Sequence, residues 1–450
     1  MRIRLLPLGL AALFLNPTFI QAIDTGSGSA HETEKFPVSP VTEPAEATIV
    51  QAQVWTLEAS IRRATMVAPE LRAAEAEVDA RAGELTQAGA WPNPTIDLRA
   101  DNRLGQEDGR GGTDLTQIML SQPLPFQRLA RQRTAAEANL ESAHENRRYQ
   151  QLLLEREVTR VFHALQTAVA KRQLAAERLR LAGSPGAARK AGTDRLVRYL
   201  TPLERRRLEI LNEEASQSVA AAGREQQMAL INFRALLALP TGIRAEPAAL
   251  LLPVAPASFD MLVRALEMHP VLVAAQKEAE AAQAGIAVAQ SQRFADPTLN
   301  LFRDRDYIAG ERRDVTGVGV SMQIPFWNTN SGTVAKARAE AGRAQARLEA
   351  LKRDARSHLE QAYTQLFRLL EQTERLRTNL LEPSREVFTL TRRGFAAGEL
   401  NVLTLVDASN TYFDALSRHL ELQQESARAA AELRLASGVS LLETSKGITP

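Results

Sequence analysis

Four short segments of the chain alternate between apolar and polar residues. They span about 94–103, 114–122, 297–306 and 314–323. In the first of them Ile96 and Leu98 flank Asp97, and an alternation with period two predicts strands that have one apolar face. Each segment has about ten residues, which is the length a tilted strand needs to cross a membrane. A soluble hairpin packed on a helix is the alternative interpretation of each pair.

Long stretches with helical periodicity follow each pair of predicted strands. They predict helical hairpins over 127–240 and 333–437. In the second hairpin small or aliphatic residues recur at steps of three and four from Ala337 to Leu380, with one additional step of four, which is a heptad pattern with a stutter. The opposite faces are rich in Arg, Glu and Gln, as expected of a solvated helix surface.

The same order of elements occurs twice along the chain, which indicates an internal duplication. The sequence NPTIDL at 93–98 corresponds to DPTLNL at 296–301, and the Pro-Phe pair at 125–126 corresponds to the pair at 325–326. From these matches we divide the chain into five parts. They are a signal peptide at 1–22, a flexible leader at 23–54, a first repeat at 55–250, a second repeat at 251–440 and a C-terminal tail at 441–450.

The N-terminal residues have the pattern of a secretory signal peptide. Arg2 and Arg4 precede a short apolar run, and Ile20 and Ala22 occupy positions −3 and −1 of a predicted cleavage site after Ala22. Removing residues 1–22 takes away two arginines and no acid, so the formal net charge of +2 falls to zero. A neutral mature chain is not expected to bind nucleic acid. The absence of cysteine excludes disulfides and thiolate metal sites.

Proline and aromatic residues lie at all four strand ends. Proline ends a helix or a strand ladder sharply, and aromatic side chains are typical of the interface between membrane and water. Packing within the junction is the alternative role for the aromatics. The predicted junction residues are Trp91, Pro94, Pro125, Phe126, Pro297, Pro325, Phe326 and Trp327.

Four strands cannot form a closed membrane barrel by themselves. An open edge in lipid leaves unpaired backbone groups at a cost of several kcal/mol each, and the small barrels of bacterial outer membranes begin at eight strands. The predicted fold is therefore mainly α with a small β part. The chain must therefore share a barrel: three copies, each with four strands, give twelve strands with closed edges, and the long helices continue the barrel as a cylinder.

The order of elements, the repeated Pro-Phe exits and the glycine-containing turns resemble the TolC-like outer-membrane efflux channel family over residues 55–440. The stretch GVSMQIPFWNTNSGTVAKARAE is similar to the cobalt–zinc–cadmium resistance branch, which carries a Pro-Phe pair followed by an Asn-x-Asn-x-Gly turn. The matching residues here are Pro325, Phe326, Asn328, Asn330 and Gly332. The resemblance implies a homotrimer whose twelve-stranded barrel lies in outer-membrane lipid and continues as a long α-helical barrel into the periplasm. It also implies that the trimer works with a periplasmic adaptor (membrane fusion protein) and an inner-membrane RND pump.

The resemblance also implies sites at the far ends of the helical hairpins. Asp407 matches an aspartate that rings the constricted periplasmic mouth of related channels, and Thr404 occupies the place where a second acidic residue is often found. Three carboxylates on one axis would attract cations, whereas a solvated surface charge is the alternative. The residues expected to contact the adaptor are Gly192, Thr193, Asp194, Gly398, Glu399 and Leu400.

The favoured function is a passive exit duct of a tripartite efflux system, with heavy-metal cations as one candidate cargo. A channel for type I protein secretion and a soluble periplasmic coiled-coil scaffold are the alternatives. An enzyme is not favoured, because the chain has no phosphate-binding loop or nucleophile motif and its six histidines show no metal-ligand spacing. No cofactor and no bound metal are expected.

Overall fold

The computed structural model of the chain describes residues 53–100, 116–190, 201–240, 245–248, 257–308 and 311–442. The signal peptide, most of the leader and the predicted tip residues Gly192, Thr193 and Asp194 lie outside the described residues. The strands are β1 (Gln53–Trp55), β2 (Thr95–Ala100), β3 (Thr116–Pro123), β4 (Ala245–Pro247), β5 (Thr298–Ile308) and β6 (Glu311–Ser321). The helices are α1 (Leu57–Val67), α2 (Pro69–Ala88), α3 (Arg128–Lys190), α4 (Pro202–Leu236), α5 (Phe259–Leu266), α6 (Pro270–Ser291), α7 (Ser331–Leu376), α8 (Glu382–Ala397) and α9 (Val402–Ser437).

The element order repeats between the two halves, as the sequence predicts. A short helix and a longer one precede each strand pair, and long helices follow it. Proline stands at the first position of α2 and of α6, where its missing N–H costs nothing because no intrahelical acceptor exists there. Thr201 and Glu204 form a capping box at the start of α4, which satisfies two of the free N–H groups of that helix. The prediction of a mainly α fold with a small β part is confirmed.

The two predicted strand pairs form one antiparallel sheet with the order β2-β3-β5-β6. The central pairing joins the two repeats, since β3 pairs with β5 from Pro123 opposite Thr298 to Thr116 opposite Arg305. A further hydrogen bond from the Leu124 N–H to the Pro297 carbonyl, at 2.8 Å, extends this connection beyond the strands. In the part of the chain that the structure describes, the outer strands β2 and β6 each have one edge with no paired strand.

A second, smaller sheet was not predicted from the sequence. β1 and β4 pair in parallel over three residues each, and Trp55 packs edge-on against Phe233 with ring centroids 6.1 Å apart. Trp55 is buried with Phe162, Leu165 and other apolar residues in one core. Gln53 and Val54, which the sequence analysis assigned to the flexible leader, therefore belong to a strand. Pairing with β4 and the burial of Trp55 hold the segment Gln53–Trp55 against the rest of the first repeat.

The segment after α9 is held by a buried carboxylate on α3. Glu155 is 5% exposed and accepts hydrogen bonds from Ser440 Oγ at 2.7 Å and from the Leu441 N–H at 2.9 Å. Leu441 and Leu442, assigned above to the tail, pack against a core that contains Ile61. The last described residues thus form part of the folded structure.

Arg434 on α9 faces the same carboxylate. Burial lowers the pKa of Arg434, and the charge of Glu155 acts in the opposite direction.

His269 caps the start of α6 and connects it to α9. Its Nδ1 accepts from the Val271 N–H at 3.2 Å, and its Nε2 lies 2.8 Å from the Leu435 carbonyl. Burial lowers the pKa of His269, so the neutral ring that both bonds require is the favoured form.

The heptad pattern predicted for the second hairpin is interrupted at its end. From Ala337 to Thr373 its positions are buried or half-buried, but Leu380 is exposed. Residues Arg377–Leu381 form a π-helical turn, in which the Glu382 N–H bonds to the Arg377 carbonyl. Pro383 follows, and because proline lacks an N–H and clashes with the carbonyl four residues earlier, the regular ladder cannot continue. The additional residue of the π turn rotates Leu380 out of the packed face.

Candidate functional site

The large sheet has one apolar face that is open to its surroundings. Cross-strand partners lie on the same face, and the register therefore places eight aliphatic side chains together. We call this surface the apolar face; its residues are Ile96, Leu98, Ile118, Leu120, Leu299, Leu301, Val318 and Val320. Leu98 is 75% exposed and Val318 is 70% exposed. An exposed apolar surface of this extent marks contact with lipid or with another protein.

The opposite surface, which we call the polar face, carries mostly hydrophilic side chains. They are Asp97, Arg99, Gln117, Ser121, Asn300 and Asp304. Met119, Phe302 and Val315 are apolar exceptions on this face, and the sequence analysis missed the role of Phe302. Its ring covers Gly317 on β6, where an added Cβ would lie 2.4 Å from the ring, so only glycine allows this contact. An apolar face and a polar face on one sheet are what a membrane strand with a water-filled lumen requires.

The predicted junction residues lie where the strands meet the helices. The structure brings Trp91 and Phe126 together edge-on at 6.4 Å, and it places Phe326 beside Trp327 at 6.2 Å. These four side chains are exposed, Trp327 at 97%, which favours an interfacial position over packing within the chain. Of the four predicted prolines, Pro125 is buried, Pro297 and Pro325 are half-buried, and Pro94 is exposed. Their role at the membrane boundary stays a prediction.

Polar contacts at the junction connect the sheet to the helices. Arg128, near the start of α3, forms an ion pair of 2.6 Å with Asp296, just before β5. Asn330 adopts a left-handed backbone with φ 59°, and its amide donates to the Ala289 carbonyl on α6 at 2.8 Å. The Asn328 side chain accepts from the Asn330 N–H at 3.0 Å. The Asn-x-Asn pattern is thus explained by a turn that asparagine tolerates better than most residues.

The turn between α8 and α9 is tightly built. Gly398 has φ 79°, and the N–H groups of Gly398 and Glu399 bond to the carbonyls of Phe395 and Gly394, which is a Schellman motif. Leu400 packs directly on Gly394, where a Cβ would lie 2.8 Å from the leucine side chain. The three predicted tip residues of this hairpin, Gly398, Glu399 and Leu400, are therefore held in one conformation.

The predicted gate residues lie in the first turns of α9. The Asn401 side chain caps this helix by accepting from the Thr404 N–H at 2.9 Å and from the Thr404 hydroxyl at 2.9 Å. Asp407 is exposed one turn further along, and its carboxylate has no hydrogen bond or ion pair with any residue that the structure describes. A free carboxylate near a helix end is available to interact with ions or with another chain.

A contact between the two hairpins was not predicted from the sequence. Phe388, Tyr412 and Phe413 pack together about three helical turns from the tip of the second hairpin, against Leu174 and Leu181 of α3. Beside them, Arg178 Nη2 on α3 donates to Asn410 Oδ1 on α9 at 2.7 Å. The bond joins residues 232 positions apart, so no local pattern reveals it. It ties the start of α9, and with it Asp407, to the first hairpin.

Removal of this tie is expected to loosen the second hairpin. Arg178→Ala leaves the Asn410 amide without its partner and removes a bond to a charged donor, which is worth about 1.5–3 kcal/mol. In planar-bilayer recordings we expect the resting conductance to increase several-fold. Arg172→Ala is the matched control, because Arg172 contacts Gln226 within the first hairpin. Equal conductance of the Arg178 variant and wild type would contradict a role of this bond in keeping the predicted periplasmic mouth closed.

Comparison with known proteins agrees with this geometry. A model of the outer membrane efflux protein family matches residues 61–238 and 261–439. The cobalt-zinc-cadmium resistance protein CzcC of Cupriavidus metallidurans is 28% identical over 440 residues, covering 96% of this chain and 99% of that protein.

Solved structures of channels share the fold. One of them is CusC, a protein that forms a transmembrane channel. Its structure superposes with a TM-score of 0.67 at 19% identity, and the match covers 91% of this chain and 99% of CusC. The open state of the Neisseria gonorrhoeae MtrE outer membrane channel gives a TM-score of 0.68 at 19% identity, covering 86% of this chain and 89% of MtrE. Among the described helices, none has an apolar stretch long enough to cross a membrane. The resemblance to TolC-like channels is confirmed, and the chain belongs to the outer membrane efflux protein family, which comprises channels of the outer membrane with a large periplasmic helical part rather than enzymes.

Proposed function

We propose that three copies of this chain form a passive duct through which heavy-metal cations leave the cell. The observation that carries the proposal is the four-stranded sheet, which has an exposed apolar face and, at β2 and β6, edges that no described strand pairs with. Unpaired backbone groups in lipid cost several kcal/mol each, so each edge pairs with a neighbouring copy. Three copies give a closed barrel of twelve strands, within the range known for bacterial outer membranes.

The partners follow from the family and from the position of the tips. Members of the family work as trimers with a periplasmic adaptor and an RND pump. In this chain the adaptor contacts the two hairpin tips, at Gly192, Thr193 and Asp194 and at Gly398, Glu399 and Leu400. The rigid construction of the second tip supports this role, because a preformed surface loses little conformational entropy on binding. The pump supplies the energy, and the duct supplies the path.

The cargo is inferred from the name of a relative. CzcC is named for resistance to cobalt, zinc and cadmium, and the Pro-Phe and Asn-x-Asn-x-Gly residues of that branch occur here at 325–332. The mature chain starts after residue 22 in this proposal, and its two repeats extend over 55–250 and 251–440. The polar face of the sheet and the acidic ring at Asp407 then line the path of the cations.

Loss of the protein in its own host tests the proposed cargo. We expect a deletion strain to accumulate cobalt, zinc and cadmium several-fold above wild type in exposed cultures, as measured by elemental mass spectrometry, and the intact gene to restore efflux. Cross-linking at the tips should recover an adaptor and an RND pump. Normal metal levels together with loss of a secreted protein would contradict metal efflux and favour a protein-secretion channel.

Asp407 is expected to determine how cations block the closed mouth. Asp407→Asn removes three carboxylates from the axis of the trimer while keeping their shape, so divalent or trivalent cations should block the channel about tenfold less tightly, a change of ~1.4 kcal/mol. Single-channel recording gives the apparent affinity of the block. Asp407→Glu is the control that keeps the charge, and its block should stay within a few-fold of wild type. Unchanged block in Asp407→Asn would place this residue away from the pore.

A further inference from the structure

The apolar face of the sheet does not continue to the end of the β5–β6 hairpin. Beyond Leu301 the next two residues of β5 on that face are Arg303 and Arg305, and Asp314 lies opposite Arg305 on β6. We call these three residues the arginine cluster. An arginine on the lipid-facing side of a barrel strand costs about 2–4 kcal/mol at the middle of the membrane and about 0–1 kcal/mol near its surface. The arginine cluster therefore marks the level at which the hydrocarbon ends.

The dimensions of the sheet agree with this position. From Met322, next to the exposed aromatic pair Phe326 and Trp327, to Asp314 the chain rises ~27 Å at ~3.4 Å per residue. With the usual strand tilt of about 35–45°, this distance is ~20 Å along the membrane normal. It is close to the ~25 Å height of the apolar band in outer-membrane barrels. The aromatic pair then lies at the periplasmic surface, and the arginine cluster lies at the outer surface.

The cluster keeps an excess of positive charge and of hydrogen-bond donors. Arg303 Nη2 donates to Asp314 Oδ2 at 2.7 Å, and Arg305 donates to both oxygens of Asp314, at 2.8 Å from Nε and 3.4 Å from Nη2. Two guanidinium groups share one carboxylate, so one positive charge remains. Each guanidinium carries five N–H donors, and most of them are not used by Asp314. Both arginines are more than half exposed, at 65% and 56%.

We propose that the arginine cluster binds the phosphate groups of a phosphorylated glycolipid in the outer leaflet of the membrane. Arginine matches phosphate through paired, charge-assisted hydrogen bonds. Asp314 holds the two guanidinium groups side by side on the lipid-facing surface, so that a headgroup at the end of the apolar band meets two oriented donors. The acyl chains of the same lipid lie along Leu301, Val318 and their neighbours. The inference rests on the proposal that the apolar face contacts lipid.

Lipid binding by the purified trimer tests the proposal. The probe is lipid A with both phosphates, added to trimers in detergent and counted by native mass spectrometry, with dephosphorylated lipid A in parallel. We expect Arg303→Gln/Arg305→Gln to bind lipid A at least tenfold more weakly than wild type. The matched control is Arg99→Gln/Arg313→Gln, which removes two exposed arginines from the polar face; this variant should bind within twofold of wild type. Equal binding by the first variant and wild type, or equal losses in both variants, would overturn the proposal.

Two further measurements identify the source of the phosphate and guard against misfolding. Binding that is insensitive to dephosphorylation would overturn recognition of a lipid phosphate. Inorganic phosphate that binds the wild-type trimer as tightly as lipid A does would identify a site for free anions and would overturn it as well. Asp314→Asn keeps both arginines and removes the competing anion, so it should tighten lipid A binding a few-fold, and an unchanged or weaker affinity would contradict the proposal. All variants should assemble as wild type does, and the variants of the arginine cluster, which lies on the lipid-facing side, should also conduct as wild type does. Assembly of the Leu301→Arg variant tests the channel model separately. Failure of the lipid proposal and failure of the channel model are therefore distinguishable.

Discussion

Leu301→Arg is expected to prevent assembly of the chain in the outer membrane. Leu301 lies at the centre of the apolar face, between Leu120 on β3 and Val318 on β6. An arginine that faces lipid at the middle of the membrane costs about 2–4 kcal/mol, and the proposed trimer carries that cost three times. We expect the heat-sensitive oligomer band in the outer-membrane fraction to fall by more than tenfold.

The neighbouring residue provides the control. Asn300 points to the polar face and bonds to the Ser321 hydroxyl at 3.1 Å. Asn300→Arg therefore adds the same side chain one position away, on the side that faces water in the channel model, and it should assemble to within about twofold of wild type. If both variants assembled normally, the apolar face would not contact lipid, and the barrel proposal would be wrong.

Glu155→Ala is expected to be the most damaging substitution in the helical part. It removes the carboxylate that accepts from the Ser440 hydroxyl and the Leu441 N–H, and it takes away the negative charge that acts on the buried Arg434. Breaking one side of a buried charged contact typically costs about 3–5 kcal/mol. We expect a lower midpoint in thermal unfolding followed by circular dichroism, and earlier proteolysis after residue 437.

Glu157→Ala is the matched control on the same helix. Glu157 forms a partly exposed ion pair with Arg160, three residues further along α3, and such pairs contribute about 0–1 kcal/mol. Its unfolding midpoint and its proteolysis should match wild type closely. Similar behaviour of the two glutamate variants would show that the buried contact at Glu155 does not hold the segment after α9.

The elements with a regular period could be predicted from the sequence. The alternation around Leu98 and Val318 is visible because each strand has one apolar and one polar face, and this pattern repeats every two residues. The turn at Gly398 could be predicted because a left-handed residue after a helix favours glycine. In contrast, β1 and β4 have three residues each, which is too short for a period to be recognised.

Contacts between distant segments could not be predicted in this way. The bond from Arg178 to Asn410, the cover of Phe302 over Gly317 and the binding of Ser440 by Glu155 all depend on how helices and strands are brought together. The π turn at Arg377–Leu381 is an intermediate case, because it has a local sequence signal but no regular period. The Glu-Pro pair at 382–383 inside a helical pattern signals a break, and the prediction that Leu380 continues the heptad pattern was wrong because that signal was not used.

The pairing of β3 with β5 has a consequence for how the ring is put together. Covalent linkage of the two halves makes one strand interface of each copy intramolecular, so a ring of three chains forms only three contacts between separate molecules. Six unlinked half-length chains would have to form six. Fewer encounters lower the order of the assembly reaction in protein concentration, so assembly of the linked chain depends less steeply on its concentration than assembly of six half-length chains would.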